Sequence, residues 1–112
     1  MSYFNKFNKK EKTISRTVEV DDRFYTILEK LSKNTYDASI NKLVNAAIEK
    51  LIENEDIKTY DQRNSTKITR TFLIRSSLMD GLKALRKKYK IPVYLLINMA
   101  IRNALVVEGL IK

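Results

Sequence analysis

The stretch ISRTVEV at Ile14–Val20 returns as ITRTFLI at Ile68–Ile74, 54 residues further on. A second phrase also returns: LVNAAI at Leu43–Ile48 becomes LINMAI at Leu96–Ile101, 53 residues further on. One residue is therefore missing from the later copy, in the turn between the two phrases. Arg16/Arg70, Thr17/Thr71, Leu28/Leu82, Leu31/Leu85, Asn45/Asn98, Ala47/Ala100 and Ile48/Ile101 are identical across the alignment. Self-similarity of this span signals one supersecondary unit used twice, each copy covering an apolar face that the other cannot bury alone.

Within the first copy, Thr13–Val20 is β-branched, with Ile14, Val18 and Val20 on one parity, the pattern of a half-buried strand. Asp21 or Asp22 can accept the first free amides of a helix. Phe24, Ile27, Leu28 and Leu31 then follow at helical spacing. The segment 34–38 (NTYDA) breaks that pattern as a turn. Ser39 is placed to cap a second helix striped by Ile40, Leu43, Val44, Ala47, Ile48, Leu51 and Ile52. The second copy repeats the order: a strand over Lys67–Ile74, Ser76 as cap, then a helix with Leu78, Leu82 and Leu85. Pro92 falls at a first helical position, where its missing N–H is harmless, and Val93, Leu96, Ile97, Ala100, Ile101, Ala104 and Leu105 form the last stripe. The opposite face of that helix is apolar too, with Tyr94, Leu95, Met99, Val106 and Val107, which suggests either extra core or contact between chains; contact is favoured.

These readings predict a mainly α fold with a short two-stranded antiparallel ribbon, (β-α-α) written twice in one chain. The organisation is a basic arm over 1–12, a first copy over 13–53, a linker over 54–66 and a second copy over 67–112, with 13–112 folding as one domain. A copy of about 45 residues is too small to keep a core alone. The linker can span at most ~40 Å, so it permits pairing of the copies within one chain without enforcing it, and pairing between chains stays open.

Composition narrows the function. The 112 residues include no Cys and no His, which removes the thiolate nucleophile, the commonest general base and the commonest metal ligands. The expectation is no enzyme, no cofactor and no metal. No apolar run reaches the length of a membrane span, and the polar N-terminus is no signal peptide, so a cytoplasmic protein is expected. Net charge is +9, unevenly spread. Residues 1–12 carry four Lys against one Glu, and 67–112 carry ten basic against two acidic side chains, while 13–55 carry six basic against eight acidic. A basic arm and a basic second copy favour a polyanionic partner, although such charge also serves solubility.

A two-stranded ribbon fits the major groove of B-DNA, and this one would have no second layer over its outward face. At this point the chain resembles the ribbon–helix–helix superfamily of Arc- and MetJ-type DNA-binding proteins, twice over nearly all of 13–107. The residues that carry the resemblance are Arg-Thr-Val-x-Val at 16–20, the Asp-Asp and Ser-Ser helix starts at 21–22 and 76–77, and the Ser-Ile-Asn-Lys-Leu opening at 39–43. The tandem form is similar to conjugation accessory proteins of the TraY type.

The resemblance implies double-stranded DNA as partner, with base contacts from Ser15, Thr17 and Glu19 in one strand and Thr69, Thr71 and Leu73 in the other. It implies phosphate contacts at the start of each second helix, near Ser39 and Ile40 and near Pro92 and Val93. Chemistry adds detail: Glu19 suits a cytosine amino group and Leu73 a thymine methyl, unless Leu73 marks a register slip of one residue. Thr17 and Thr71 would suit any exposed strand, but base contact gives the bare ribbon a use. Arg16 and Arg70, near the strand starts, reach for phosphate or pair with a carboxylate. Pro92 offers no amide, so Lys87, Lys88 and Lys90 are expected to supply the second phosphate clamp, as solvated charge runs beside a helix start can.

The expected function is sequence-specific DNA binding by a transcriptional repressor, with chains on adjacent sites associating through the last helix. The alternatives are an accessory DNA-binding protein that assists a relaxase in a conjugative relaxosome, and an antitoxin-type module whose basic half grips an acidic toxin.

Overall fold

The computed structural model describes residues 11–34, 39–60, 62 and 65–111. Two nine-residue strands, β1 (Thr13–Asp21) and β2 (Lys67–Arg75), pair antiparallel from Thr13 opposite Arg75 to Asp21 opposite Lys67. Thr17 faces Thr71 at the midpoint. Because strand side chains alternate between faces, this register sends Val18, Val20, Phe72 and Ile74 inward, and all four are buried. The same alternation leaves Leu73 on the outward face at 45 % exposure, so its outward placement is no slip. Ile14 shares the inward parity but is 39 % exposed; on β1 the buried stretch begins at Val18.

Among the described residues, four helices lie beneath the ribbon. In α1 (Asp22–Asn34), Phe24, Leu28 and Leu31 are buried, as their spacing requires. Its start is held by Asp21, whose Oδ1 accepts the Arg23 amide at 3.0 Å while the Arg23 guanidinium donates to Oδ1 at 3.1 Å and Oδ2 at 2.7 Å. The Asp21 carboxylate is buried yet paired, as a desolvated charge must be. Helix α2 (Ile40–Asn54) is capped by Ser39, whose hydroxyl accepts the Lys42 amide at 3.2 Å, and ends at Glu55 in the left-handed conformation.

The second pair of helices departs from expectation at its starts. In α3 (Ser76–Tyr89), Ser76 is the first helical residue rather than the cap; Arg75 takes the cap position and supplies no side-chain bond. The exposed amides are satisfied from outside the copy: the Ser77 amide and hydroxyl donate to Glu11 Oε1 at 3.0 and 2.7 Å, and the Ser76 amide donates to the Lys12 carbonyl at 2.9 Å. A carboxylate is a stronger acceptor than a serine hydroxyl and suits the positive helix end. The Asp22 amide makes the matching bond to the Thr66 carbonyl at 2.8 Å. Helix α4 (Val93–Val107) begins one residue later than expected, with Pro92 extended in the cap position and its carbonyl accepting the Leu95 and Leu96 amides.

Helix α4 packs against α1, α2, α3 and β1. Of the apolar face favoured for contact between chains, Met99 is fully buried, Tyr94 and Leu95 pack partly on the core, and Val106 and Val107 are exposed, beside Leu110. Between α2 and α3 the Ile52 side chain lies against Gly81, where an added Cβ would meet Ile52 Cδ1 at 2.6 Å. The linker is not free of the core either. Asn103 Nδ2 donates to the Asp56 carbonyl at 2.8 Å, and the Tyr60 ring meets Phe24 edge-on at 5.4 Å. Of the expected arm, residues 1–10 lie outside the described residues, as do 35–38 of the expected turn. Among the described residues no single helix is long and apolar enough to cross a membrane.

Candidate nucleic-acid interface

The outward face of the ribbon holds Ser15, Thr17, Glu19, Thr69, Thr71 and Leu73, and all six side chains are exposed. They form a short strip. Glu19 and Thr69 stand at one end, Thr17 and Thr71 in the middle, Leu73 and Ser15 at the other. Thr17 Oγ1 and Thr71 Oγ1 share a hydrogen bond of 2.7 Å, which fixes the central pair while leaving lone pairs free for a further partner.

An isolated two-stranded ribbon is marginal in water; here two buried asparagines clamp its outer edges. Asn98, on α4, accepts the Asp21 amide at 3.0 Å and donates Nδ2 to the carbonyls of Glu19 at 2.9 Å and Tyr94 at 2.8 Å. Asn45, on α2, accepts the Arg75 amide at 2.8 Å and donates to the carbonyls of Leu73 and Asn41, each at 2.7 Å. Each asparagine thus belongs to one sequence copy and holds the strand of the other. Asn41 Oδ1 adds a bond from the Leu73 amide at 3.1 Å. The clamps fix the orientation of the strip and bring the first turns of α2 and α4 alongside β2 and β1. The sequence reading gave these asparagines no role, although a polar residue kept at the same place in two apolar helical stripes was the available signal.

The residues expected at phosphate divide. Arg16, Lys90 and Val93 come together in an open groove of about 440 Å³ along β1, with Arg86, Ile91, Pro92 and Tyr94. Arg86 lies four residues before Lys90 and lines the same groove. Lys88 is elsewhere, donating to Glu55 Oε1 at 2.6 Å, and Tyr89 joins it there at 3.0 Å. The hydrogen bond from Lys88, then that from Tyr89, hold the Glu55 carboxyl below its ordinary range, and the same contact with Glu55 raises the Lys88 ammonium. Lys87 is exposed but turned about 100° around α3 from Arg86. On the β2 side, Ser39 and Ile40 open α2, the Ser39 hydroxyl being occupied by the Lys42 amide. Arg70 lies over the Tyr25 ring at 4.9 Å and donates to the Thr69 carbonyl at 2.8 Å.

Among the described residues no group of His, Cys, Asp and Glu side chains could hold a metal ion. No protein-family model, curated protein or solved structure matches the chain.

Proposed function

We propose that the chain is a tandem ribbon–helix–helix protein that binds double-stranded DNA sequence-specifically, placing its ribbon in the major groove, and that it acts as a transcriptional repressor. The observation that carries this reading is the ribbon itself: two clamped strands with six exposed side chains and, among the described residues, no layer above them. A ribbon of this width fits the major groove, where hydroxyls, a carboxylate and an apolar side chain each find a base-edge partner. The two ends of the strip differ, Glu19 with Thr69 against Leu73 with Ser15, so the preferred element is asymmetric, with cytosine favoured under Glu19 and thymine under Leu73. A strip this short reads few base pairs, and each mismatch costs only about 1–3 kcal/mol. Full specificity then calls for several chains on adjacent sites, and the exposed Val106 and Val107 at the end of α4 are what remains for their association.

The test is selection of sites from a random duplex library, followed by salt titrations of wild type and the Thr17→Ala/Thr71→Ala variant on the best site. The expected result is one enriched sequence, affinity that falls steeply with salt, and a variant that loses discrimination while keeping the salt slope. No enrichment, together with a variant that binds like wild type, would remove the ribbon as reader.

A further inference from the structure

We propose that the chain holds the DNA backbone unequally: the flank along β1 carries most of the phosphate grip, through Arg16, Arg86 and Lys90, and the flank along β2 carries little. The inference rests on the function proposed above and assigns the residues that supply its salt-dependent affinity. On the β1 side three cationic side chains from two elements converge on one open groove, and none has a side-chain partner among the described residues. Lys67 adds a fourth charge close by, its Nζ lying 5.6 Å from the Tyr94 ring at the groove wall. Three unneutralised cations in one concavity constitute a polyanion site, because each phosphate they meet releases condensed counterions.

The equivalent positions on the β2 side are depleted. Arg70 matches Arg16 in the alignment of the copies, but its guanidinium lies over Tyr25 and donates to its own strand. Position 32, which matches Arg86, is Ser32. The different course of Arg70 has its cause at one site: Tyr25 corresponds to Met79, which is buried and offers no aromatic face. A tyrosine ring attracts a guanidinium through its quadrupole, worth about 0.5–1 kcal/mol at an exposed position. Arg70 is thereby drawn aside, whereas Arg16 is left to the groove.

The test compares single and double variants on a selected duplex, reading the slope of log affinity against log salt. Arg16→Gln should lower the slope by about one unit and Arg86→Gln/Lys90→Gln by roughly two, while Arg70→Gln leaves it nearly unchanged. Tyr25→Met should move in the opposite direction, steepening the slope as Arg70 is released. Circular dichroism and melting of each variant report whether the fold is retained; Arg86 and Lys90 are exposed, so their double variant carries the comparison if Arg16→Gln unfolds. Equal slope losses for Arg16→Gln and Arg70→Gln would overturn the unequal grip while leaving DNA binding standing. A wild-type protein with no salt-dependent duplex binding would overturn the proposed function itself.

Discussion

Two asparagines set the geometry on which the reading of this molecule turns. Asn45 and Asn98 are buried, and each makes three hydrogen bonds, two of them to the strand contributed by the other copy. Removing either leaves a strand amide and a strand carbonyl without partners at the ribbon edge. A net hydrogen bond contributes about 1 kcal/mol and an orphaned buried group adds its desolvation penalty. Asn98→Ala should therefore destabilise the protein by roughly 2–4 kcal/mol, measured as a shift in urea midpoint. Asn98→Asp keeps the acceptor for the Asp21 amide but loses both donations and sets a charge among carbonyl oxygens, so it should be no milder. A loss below about 1 kcal/mol for both would mean that the clamp is incidental to stability. The identity of these asparagines in both copies was legible in the sequence; their action was not, because a side chain that bridges two distant elements leaves no local period.

At the scale of elements, strands and helices were legible where a period extends over several turns or a strand's length. The two strands were read to within a residue of their limits; the helical stripes gave the helices, but not where α3 ends, at Tyr89. What escaped was set by single residues acting from outside the element. Glu11, expected within an arm, instead satisfies the start of α3. Glu11→Ala should cost about 1 kcal/mol, the usual loss for a removed cap, read from thermal melts. The contact of Ile52 with Gly81 is a second case. Gly81 stands where the first copy has Ile27, and its absent side chain is what lets Ile52 sit against the helix backbone. Restoring symmetry with Gly81→Ile should destabilise by about 1–3 kcal/mol through overpacking. Ile52→Ala in the same chain should recover part of that loss, and a double-mutant cycle measures the coupling. Independent, additive effects would show that the helices simply move apart.

Across the whole molecule, the return of the strand pattern 54 residues on made the ribbon legible, while the register that sets Thr17 opposite Thr71 was not contained in that offset. The path of the linker was not legible either, because Ile57 and Tyr60 are two apolar residues in a polar stretch with no repeat to mark them. Both pack on the core, and Tyr60 gives that packing a titratable reporter. Burial, reinforced by the Asp21 charge, pushes the Tyr60 phenol up to about 12 from 10.0. The folded state therefore keeps its proton at a pH where the unfolded chain has lost it. Stability from this group is complete below about pH 10 and is lost progressively as pH rises towards about 12. Tyr60→Phe, which retains the ring contact with Phe24, should flatten that part of the alkaline decline in denaturant midpoint. The phenolate absorbance of wild type should show a late-titrating tyrosine that the variant lacks. Parallel alkaline declines in the two proteins, with no late phenol in wild type, would mean that the linker leaves the core in solution; the ribbon would then rest on the asparagine clamps and the strand pairing alone.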